Sequence, residues 1–224
     1  MPSIDSVSFD LTGCELRERS KHHRTWVSND AVALLLRFEM GRVDWPFDLS
    51  DADAASFFYF NQCRDNNGVM LSMEVINVAA GTGELEALRG LFKYHAPIEN
   101  SLGMAYVGIL WLPFEACRFQ INIESMELGD TGLREAMVMI MEGDNWPKPP
   151  QNENEIPRIE NDEQLQAMYA DALAKPPLQL PSDEAKYDAS FPDHPLSKVR
   201  ARMDTIIATL KVDAGLKSLR PFRL

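Results

Sequence analysis

The chain has 224 residues, of which 45% are hydrophobic and 25% charged, as is ordinary for a globular protein that buries a sizeable core. No apolar run approaches the roughly 18 residues of a membrane span. Met1–Asp5 lacks the basic start of a signal peptide, and the three cysteines form no CxxC pair. The net charge of −12 opposes binding to nucleic acid and to anionic membranes. We therefore expect a cytoplasmic protein with no membrane contact and no nucleic-acid partner.

The charges divide the sequence into three regions. Residues 144–194 hold eleven Asp and Glu against four Lys and Arg, whereas residues 195–224 hold seven Lys and Arg against two Asp. The middle region is also rich in Pro and Asn, which is typical of a loop or linker. We expect a core over residues 1–142, an acidic Pro-rich insert with one short helix over 143–194, and a C-terminal helix with a basic tail over 195–224.

The first predicted elements form a hairpin. Residues 24–27 and 31–39 have the composition of two strands, and Asn29–Asp30 between them supplies residues that tolerate a positive φ. The loop that follows contains Trp45 and Phe47 outside any strand or helix pattern. Aromatic side chains in such a loop either cover an edge of the core or anchor a partner, and covering is the commoner role.

A second hairpin is predicted over residues 57–64 and 68–79, around the turn signal Asp65–Gly68. The alanines at the start of this stretch also permit a helix from Ser50 onward. We favour a strand for its second half because the four consecutive aromatic residues Phe57–Phe60 suit a pleated surface.

Helical spacing then predicts a helix over residues 84–95. A third hairpin over 104–127 follows, and its second strand alternates polar and apolar residues without a fault. A helix over 133–142 comes next, with Thr131 as a plausible cap. Its apolar stripe is expected to pack on the sheet and consists of Leu133, Met137, Ile140 and Met141.

Two further helices are predicted towards the C-terminus. Asn161–Gln164 forms a capping box for a helix that runs to Ala174. Pro195 suits the first position of the last helix, over 195–210, whose clean apolar stripe must dock on the sheet. The predicted class is α+β, an antiparallel sheet built from hairpins with helices packed on it.

Chemistry-bearing motifs are scarce. No HExxH, GxSxG or phosphate-binding loop occurs, so we expect no metal site and no cofactor. One enzyme hypothesis stays open. His194 lies beside Asp193 at a helix start, and with Ser197 nearby the three residues suggest a hydrolase that uses the histidine as a base. A cap at the helix start is the commoner role of such a histidine.

Aromatic residues beside carboxylates suggest a protein-binding surface. The candidate residues lie in two loops and are Trp45, Phe47, Trp146, Glu153 and Glu155. An aromatic anchor supplies desolvated contact area, and a carboxylate rim speeds the encounter with a basic partner.

The succession of hairpins and helices resembles the Mog1/PsbP-like fold. Gly68–Ala79 leading into Glu84–His95, and Tyr106–Glu124 leading into Thr131–Glu142, carry the likeness. The string Tyr187–Arg200, which contains FPDHPLSKVR, looks like one found in uncharacterised bacterial proteins. The resemblance implies a protein that binds other proteins or assists assemblies.

We therefore expect a non-enzymatic bacterial adaptor or immunity-type protein that binds a protein partner through its acidic surface, a surface suited to a basic partner. A hydrolase using His194 and Asp193 is one alternative. A structural homo-oligomer with no separate partner is the other.

Overall fold

The computed structural model describes residues 1–80, 83–99, 101–147, 161–220 and 222–224. Nine strands lie in this part of the chain. They are β1 (Val7–Ser8), β2 (Cys14–Arg19), β3 (His23–Ser28), β4 (Ala33–Met40), β5 (Val69–Ala80), β6 (Gly83–His95), β7 (Met104–Pro113), β8 (Cys117–Met126) and β9 (Lys211–Val212).

Seven of these strands form one antiparallel sheet in the order β2-β3-β4-β8-β7-β6-β5, and β1 pairs with β9 in a separate two-stranded sheet. The helices are α1 (Ala52–Asp65), α2 (Leu133–Glu142), α3 (Asp162–Ala174), α4 (Pro195–Thr209) and α5 (Ala214–Lys217). In the part of the chain that the structure describes, no helix is long and apolar enough to cross a membrane.

Helix α4 covers one face of the sheet. Its start is set by Pro195 at the first helical position and by the His194 ring, which accepts the backbone N–H of Leu196 at 3.2 Å. Met203 and other apolar residues of the helix pack on β7 and β8. The helix comes so close to the sheet that a Cβ at Gly108 would lie 2.2 Å from Met203 Cε, so any larger residue there would displace the end of the Met203 side chain.

The opposite face is covered by α1 and by the loop over residues 41–51. Trp45 stacks on Phe47 with ring centroids 5.1 Å apart, and its indole N–H donates to Tyr59 Oη at 2.9 Å. Phe222, near the C-terminus, closes the same cluster against Trp45 at 5.5 Å. The sheet therefore has a core on each face.

The prediction of a strand over residues 57–64 was wrong, because this stretch is the second half of α1. Asp51 caps the helix by accepting the N–H of Ala54 at 2.9 Å. The four consecutive aromatic residues do not all lie on the buried side of this helix. Tyr59 points into the core cluster, whereas Phe57 and Phe60 are 70% and 46% exposed.

The prediction of a helix over residues 84–95 was also wrong, because this stretch is β6. A strand between two others in a sheet covered on both faces is apolar on both sides and shows no alternation. Leu88 and Phe92 enter the cluster under α1, while Leu91 enters the cluster under α4. The apparent helical stripe is thus shared between the two faces.

The remaining elements confirm the predictions. The first and third hairpins are β3–β4 and β7–β8, and the helices predicted over 133–142, 161–174 and 195–210 are α2, α3 and α4. The class is α+β with a large antiparallel sheet, as expected.

Candidate functional site

The apolar stripe of α2 faces outward. The prediction that it packs on the sheet was wrong, because Leu133, Met137, Ile140 and Met141 are 63%, 44%, 72% and 58% exposed. We call these four residues the α2 apolar face. A helix normally buries such a stripe. Contiguous exposed apolar surface of this kind marks an interaction site.

The orientation of α2 is fixed by its other side. Arg134 is 1% exposed, and its guanidinium donates to the carbonyl of Ser182 at 2.7 Å, to Ser197 Oγ at 2.7 Å and to Asp188 at 2.9 Å. Val138, one turn along, is fully buried. The helix begins without a side-chain cap, at Gly132 with φ +74°, so Thr131 does not cap it. The buried, hydrogen-bonded Arg134 fixes one side of α2 against the rest of the protein. The apolar stripe lies on the opposite side of the helix and therefore faces solvent.

Acidic side chains surround the α2 apolar face. A cavity of about 450 Å³ lies at the N-terminal end of α2 and is walled by Leu128, Leu133 and Phe191 among others. The exposed aspartates around the cavity and at the far end of the helix are Asp30, Asp130, Asp144 and Asp193, which we call the acidic rim. Residues 127–144 contain five carboxylates and one base, the buried Arg134. Two lysines from elsewhere offset part of this charge, since Lys198 lines the cavity and Lys186 lies 3.2 Å from Glu142.

A buried acidic centre lies under the start of α2. Single ligating atoms of Glu127, Glu135 and His194 all lie within 4.8 Å of one another. Glu127 follows β8, Glu135 lies in the first turn of α2, and His194 precedes α4, so three separate elements meet here. His194 Nε2 is 3.4 Å from Glu127 Oε1, with side chains 9% and 6% exposed.

Glu127 is held in place by the backbone. Its carboxylate accepts the N–H of Met104 at 2.8 Å and the N–H of Gly132 at 3.2 Å. Burial acts to raise the pKa of Glu127, but the adjacent imidazole of His194 and the hydrogen bonds from the two backbone N–H groups outweigh it, so the pKa lies below its ordinary value. The carboxylate is therefore an anion at neutral pH.

Tyr106 stands beside this centre with its hydroxyl unpartnered. The residue is fully buried, its ring meets the His194 ring edge-on at 5.4 Å, and its Oη finds no hydrogen-bond partner among the described residues. Burial, with the negative charges of Glu135, Asp183 and Glu127, raises the pKa of Tyr106 well above its usual value. Both carboxylate oxygens of Glu135 are likewise buried without a partner in this part of the structure.

The structure places the predicted binding aromatics of the first loop inside the core. Trp45 and Phe47 are 6% and 3% exposed in the cluster under α1, so the covering role is confirmed. Neither ring is available as a surface anchor, which removes both residues from the predicted interface.

Trp146 lies just after α2 and is half-buried, so it stays a candidate for the interface. Glu153 and Glu155 lie outside the described residues, and their predicted role stays a prediction.

The hydrolase hypothesis grouped three residues that the structure does not bring together. Ser197 Oγ accepts from Arg134 at 2.7 Å and donates to Asp188 at 3.1 Å. Asp193 is exposed, and the His194 ring faces Glu127 rather than either of them. A serine nucleophile needs hydrogen-bonded contact with its base. The geometry provides no such contact.

Sequence reasoning singled out His194 but missed its neighbours. Tyr106, Glu127 and Glu135 are up to 88 residues away from it in the chain, and none forms a spaced motif with it. The one available signal was Glu127, which continues the alternating strand at a position where the apolar phase predicts an inward side chain.

Comparison with known proteins adds no functional assignment. No family model and no curated protein matches the chain. A crystal structure of a protein from Bacteroides thetaiotaomicron VPI-5482 is similar over 58% of this chain, with a TM-score of 0.34 and 11% sequence identity. The chain spans 41% of that protein. At this level of similarity we take nothing from that structure.

Proposed function

We propose that this protein is a non-enzymatic binding module that docks a basic, amphipathic segment of a partner protein on the α2 apolar face. The observation that carries the proposal is the outward stripe of Leu133, Met137, Ile140 and Met141 on a helix whose opposite side is locked by Arg134.

The chemistry of the surface suits a helix laid along it. Residues 133, 137, 140 and 141 follow the spacing that an amphipathic partner helix presents in return. Methionine side chains are flexible and polarisable, and they adapt to varied apolar partners. Met139, 46% exposed, and the half-buried Trp146 extend the apolar area at its edge.

Charge selects the partner. The acidic rim attracts Lys and Arg, and it opposes a second copy of this chain, because the same face of that copy carries the same negative charge. The chain's own residues 148–160 are a poor cover, since they contain Ile156 and Ile159 as their only strongly apolar side chains. A basic partner segment is therefore the occupant to which we commit.

The finer assignment rests on the resemblance. A Mog1/PsbP-like chain is expected to bind other proteins or assist assemblies, which supports an adaptor or immunity-type role in a bacterial cytoplasm. The absence of an assembled Ser197–His194 pair in the described residues supports a non-enzymatic reading over the hydrolase.

The proposal is tested with a fluorescein-labelled model peptide of 18 residues built from Leu and Lys so that the helix is basic on one face and apolar on the other. We expect saturable binding by fluorescence anisotropy that weakens as salt rises, since exposed charges are screened within about 10 Å at 0.1 M. Ile140→Ser should weaken binding at least about tenfold, because a central exposed apolar anchor is lost. Asp130→Asn with Asp193→Asn should lower the salt dependence.

Phe57→Ser is the matched control. Phe57 is 70% exposed on α1, against 72% for Ile140 on α2, so it removes similar exposed apolar area at another place. Equal binding by wild type and Ile140→Ser contradicts the proposal, as does equal weakening by Phe57→Ser. A dimer in analytical ultracentrifugation that Ile140→Ser dissociates would assign this face to a second copy instead. Stronger peptide binding after deletion of residues 148–160 would show that the chain's own segment is the occupant.

A further inference from the structure

We infer that Glu127, Glu135 and His194 form a binding site for a divalent first-row transition metal ion, with Zn²⁺ the best fit. The site adjoins the Leu133 end of the α2 apolar face, because Glu127 and His194 line the same cavity, but the inference does not depend on the proposed function. Sequence spacing gave no sign of it, because its three side chains come from three elements.

The distances fit a metal better than they fit a hydrogen bond. His194 Nε2 and Glu127 Oε1 are 3.4 Å apart, longer than the ~2.9 Å of a good N–H···O bond. Ligands held at roughly 2.0–2.1 Å from a tetrahedral ion lie about 3.3–3.4 Å from each other. With Glu135 included, all three ligating atoms lie within 4.8 Å of one another, so the Glu135 carboxylate has to move inward by roughly 1 Å to reach the spacing of tetrahedral ligands.

The centre also carries unpartnered polar atoms. Both oxygens of Glu135, His194 Nε2 and Tyr106 Oη are buried without a hydrogen-bond partner among the described residues. Tyr106 is fully buried, and its ring lies 5.4 Å from the His194 ring, so its unpartnered hydroxyl is a second observation at this centre. Buried polar atoms are normally satisfied, so four unpartnered ones in neighbouring side chains favour a bound ligand.

The nearest buried cations are already bound elsewhere. Lys93 Nζ lies 3.0 Å from both oxygens of Asp183, and Arg134 pairs with Asp188 at 2.9 Å. Among the described residues, neither Glu127 nor Glu135 forms an ion pair with a lysine or an arginine. A divalent cation held by both carboxylates would supply the missing ion-pair partner.

Two carboxylates and one imidazole indicate the class of metal. Imidazole suits zinc and other first-row transition ions, whereas magnesium and calcium prefer an all-oxygen set. Three protein ligands leave a fourth position, which Tyr106 Oη or a solvent oxygen can take. Binding through Nε2 requires the imidazole proton on Nδ1, so the bond that Nδ1 accepts from the N–H of Leu196 at 3.2 Å, which caps α4, has to break when the metal binds. Metal loading is therefore expected to change the tautomer of His194.

The test is a titration of the purified full chain, first stripped with EDTA, with ZnCl₂ and with MnCl₂. We expect one zinc ion per chain by isothermal calorimetry and a melting temperature that rises with zinc.

Two variants remove single ligands. Glu135→Gln preserves the size of the side chain, whose carboxylate makes no hydrogen bond within the described part of the structure. It should weaken zinc affinity more than about 100-fold, which exceeds the effect of losing a residue that only orients a ligand. His194→Asn keeps a residue that can cap α4 and should weaken it similarly. Long-range ¹H–¹⁵N spectra should show that one histidine carries its proton on Nδ1 when zinc is present and not when zinc is absent.

Two controls separate this site from adventitious binding. Glu163→Gln changes an exposed carboxylate on α3, and His22→Ala with His23→Ala removes a surface pair near Glu18. Both should leave zinc affinity unchanged. Zinc without effect on the wild type would mean that Glu127 and His194 are a plain hydrogen-bonded pair, and it would overturn the inference. Affinity that survives Glu135→Gln and His194→Asn but falls with the His22 and His23 change would overturn it as well.

Discussion

A single lysine shows how this protein uses buried charge. Lys93 lies on β6, a strand covered on both faces, and its side chain is 2% exposed. Its ammonium bonds both oxygens of Asp183 at 3.0 Å and the carbonyl of Leu178 at 3.2 Å. Asp183 in turn accepts the N–H of Leu180 at 2.9 Å. The pair therefore ties the segment before α4 to the centre of the sheet.

Lys93→Met is expected to destabilise the fold by about 3–5 kcal/mol, because it leaves Asp183 buried and unpaired. The double variant Lys93→Met with Asp183→Leu should recover part of that loss, since no buried charge then remains. Urea unfolding of the two single variants and the double variant measures the coupling. Additive losses would mean that the two side chains do not act as a pair.

At the scale of elements, the predictions from sequence succeeded where an element meets solvent on one side. The strand β8 and the helix α4 each have one buried face, so their periods are visible in the sequence, whereas α3 has no buried residue and was found from its capping box. The strand β6 is buried on both faces, so its sequence does not alternate between apolar and polar residues. The helix α1 was predicted as a strand because aromatic residues have a high strand propensity, even though some of them are exposed on this helix. The misreadings follow from tertiary burial, which local sequence does not encode.

The candidate site was predictable only in part. His194 stood out beside a helix start, and α2 was found with its stripe intact. The direction of that stripe depends on Arg134, whose partners Ser182, Asp188 and Ser197 lie 48 to 63 residues further along the chain. The same separation hides Tyr106 and Glu135 from any motif. Contacts between residues so far apart in the chain depend on the tertiary fold, so a motif defined by the spacing of residues along the sequence does not predict them.

The orientation of α2 has a direct stability test. Ile140 is 72% exposed and Val138 is fully buried, two residues away on the same helix. Ile140→Ser should change the free energy of unfolding by no more than about 0.5 kcal/mol, as expected for an exposed site. Val138→Ala should cost about 2 kcal/mol through the cavity it leaves. Chemical denaturation that reverses this order would show that the apolar face is buried.

At the scale of the whole molecule, the two chain ends are tied to the sheet and to each other. The strand β1 pairs with β9, so Val7 lies opposite Val212. Asp213 accepts the N–H of Leu216 at 2.8 Å, and its own N–H donates to the carbonyl of Ser6 at 2.9 Å. Asp48 accepts the N–H of Leu224 at 3.0 Å and so holds the last residue. Two exposed carboxylates thus join the beginning, a middle loop and the end of the chain.

These two carboxylates make the chain ends sensitive to acid. Hydrogen bonds from Ser50 and Leu224 hold the pKa of Asp48 below its ordinary 3.8, and bonds from Ser6 and Leu216 do the same for Asp213. A carboxyl whose pKa is lower in the folded chain stabilises that chain above its unfolded pKa, and the stabilisation is lost as the pH falls through the folded value.

We therefore expect the urea midpoint to fall as the pH drops below about 4. A double variant, Asp48→Asn with Asp213→Asn, should have a lower midpoint than the wild type at pH 7, and the difference should shrink as the pH falls and the wild-type carboxyls become protonated. Asp193→Asn, at an exposed position, is the control and should match the wild type at every pH. A difference between the double variant and the wild type that stays constant as the pH is lowered through the acid range would show that the charge of these two carboxylates does not hold the ends. Both chain ends would then be held by the β1–β9 pairing and by apolar contacts, which do not titrate.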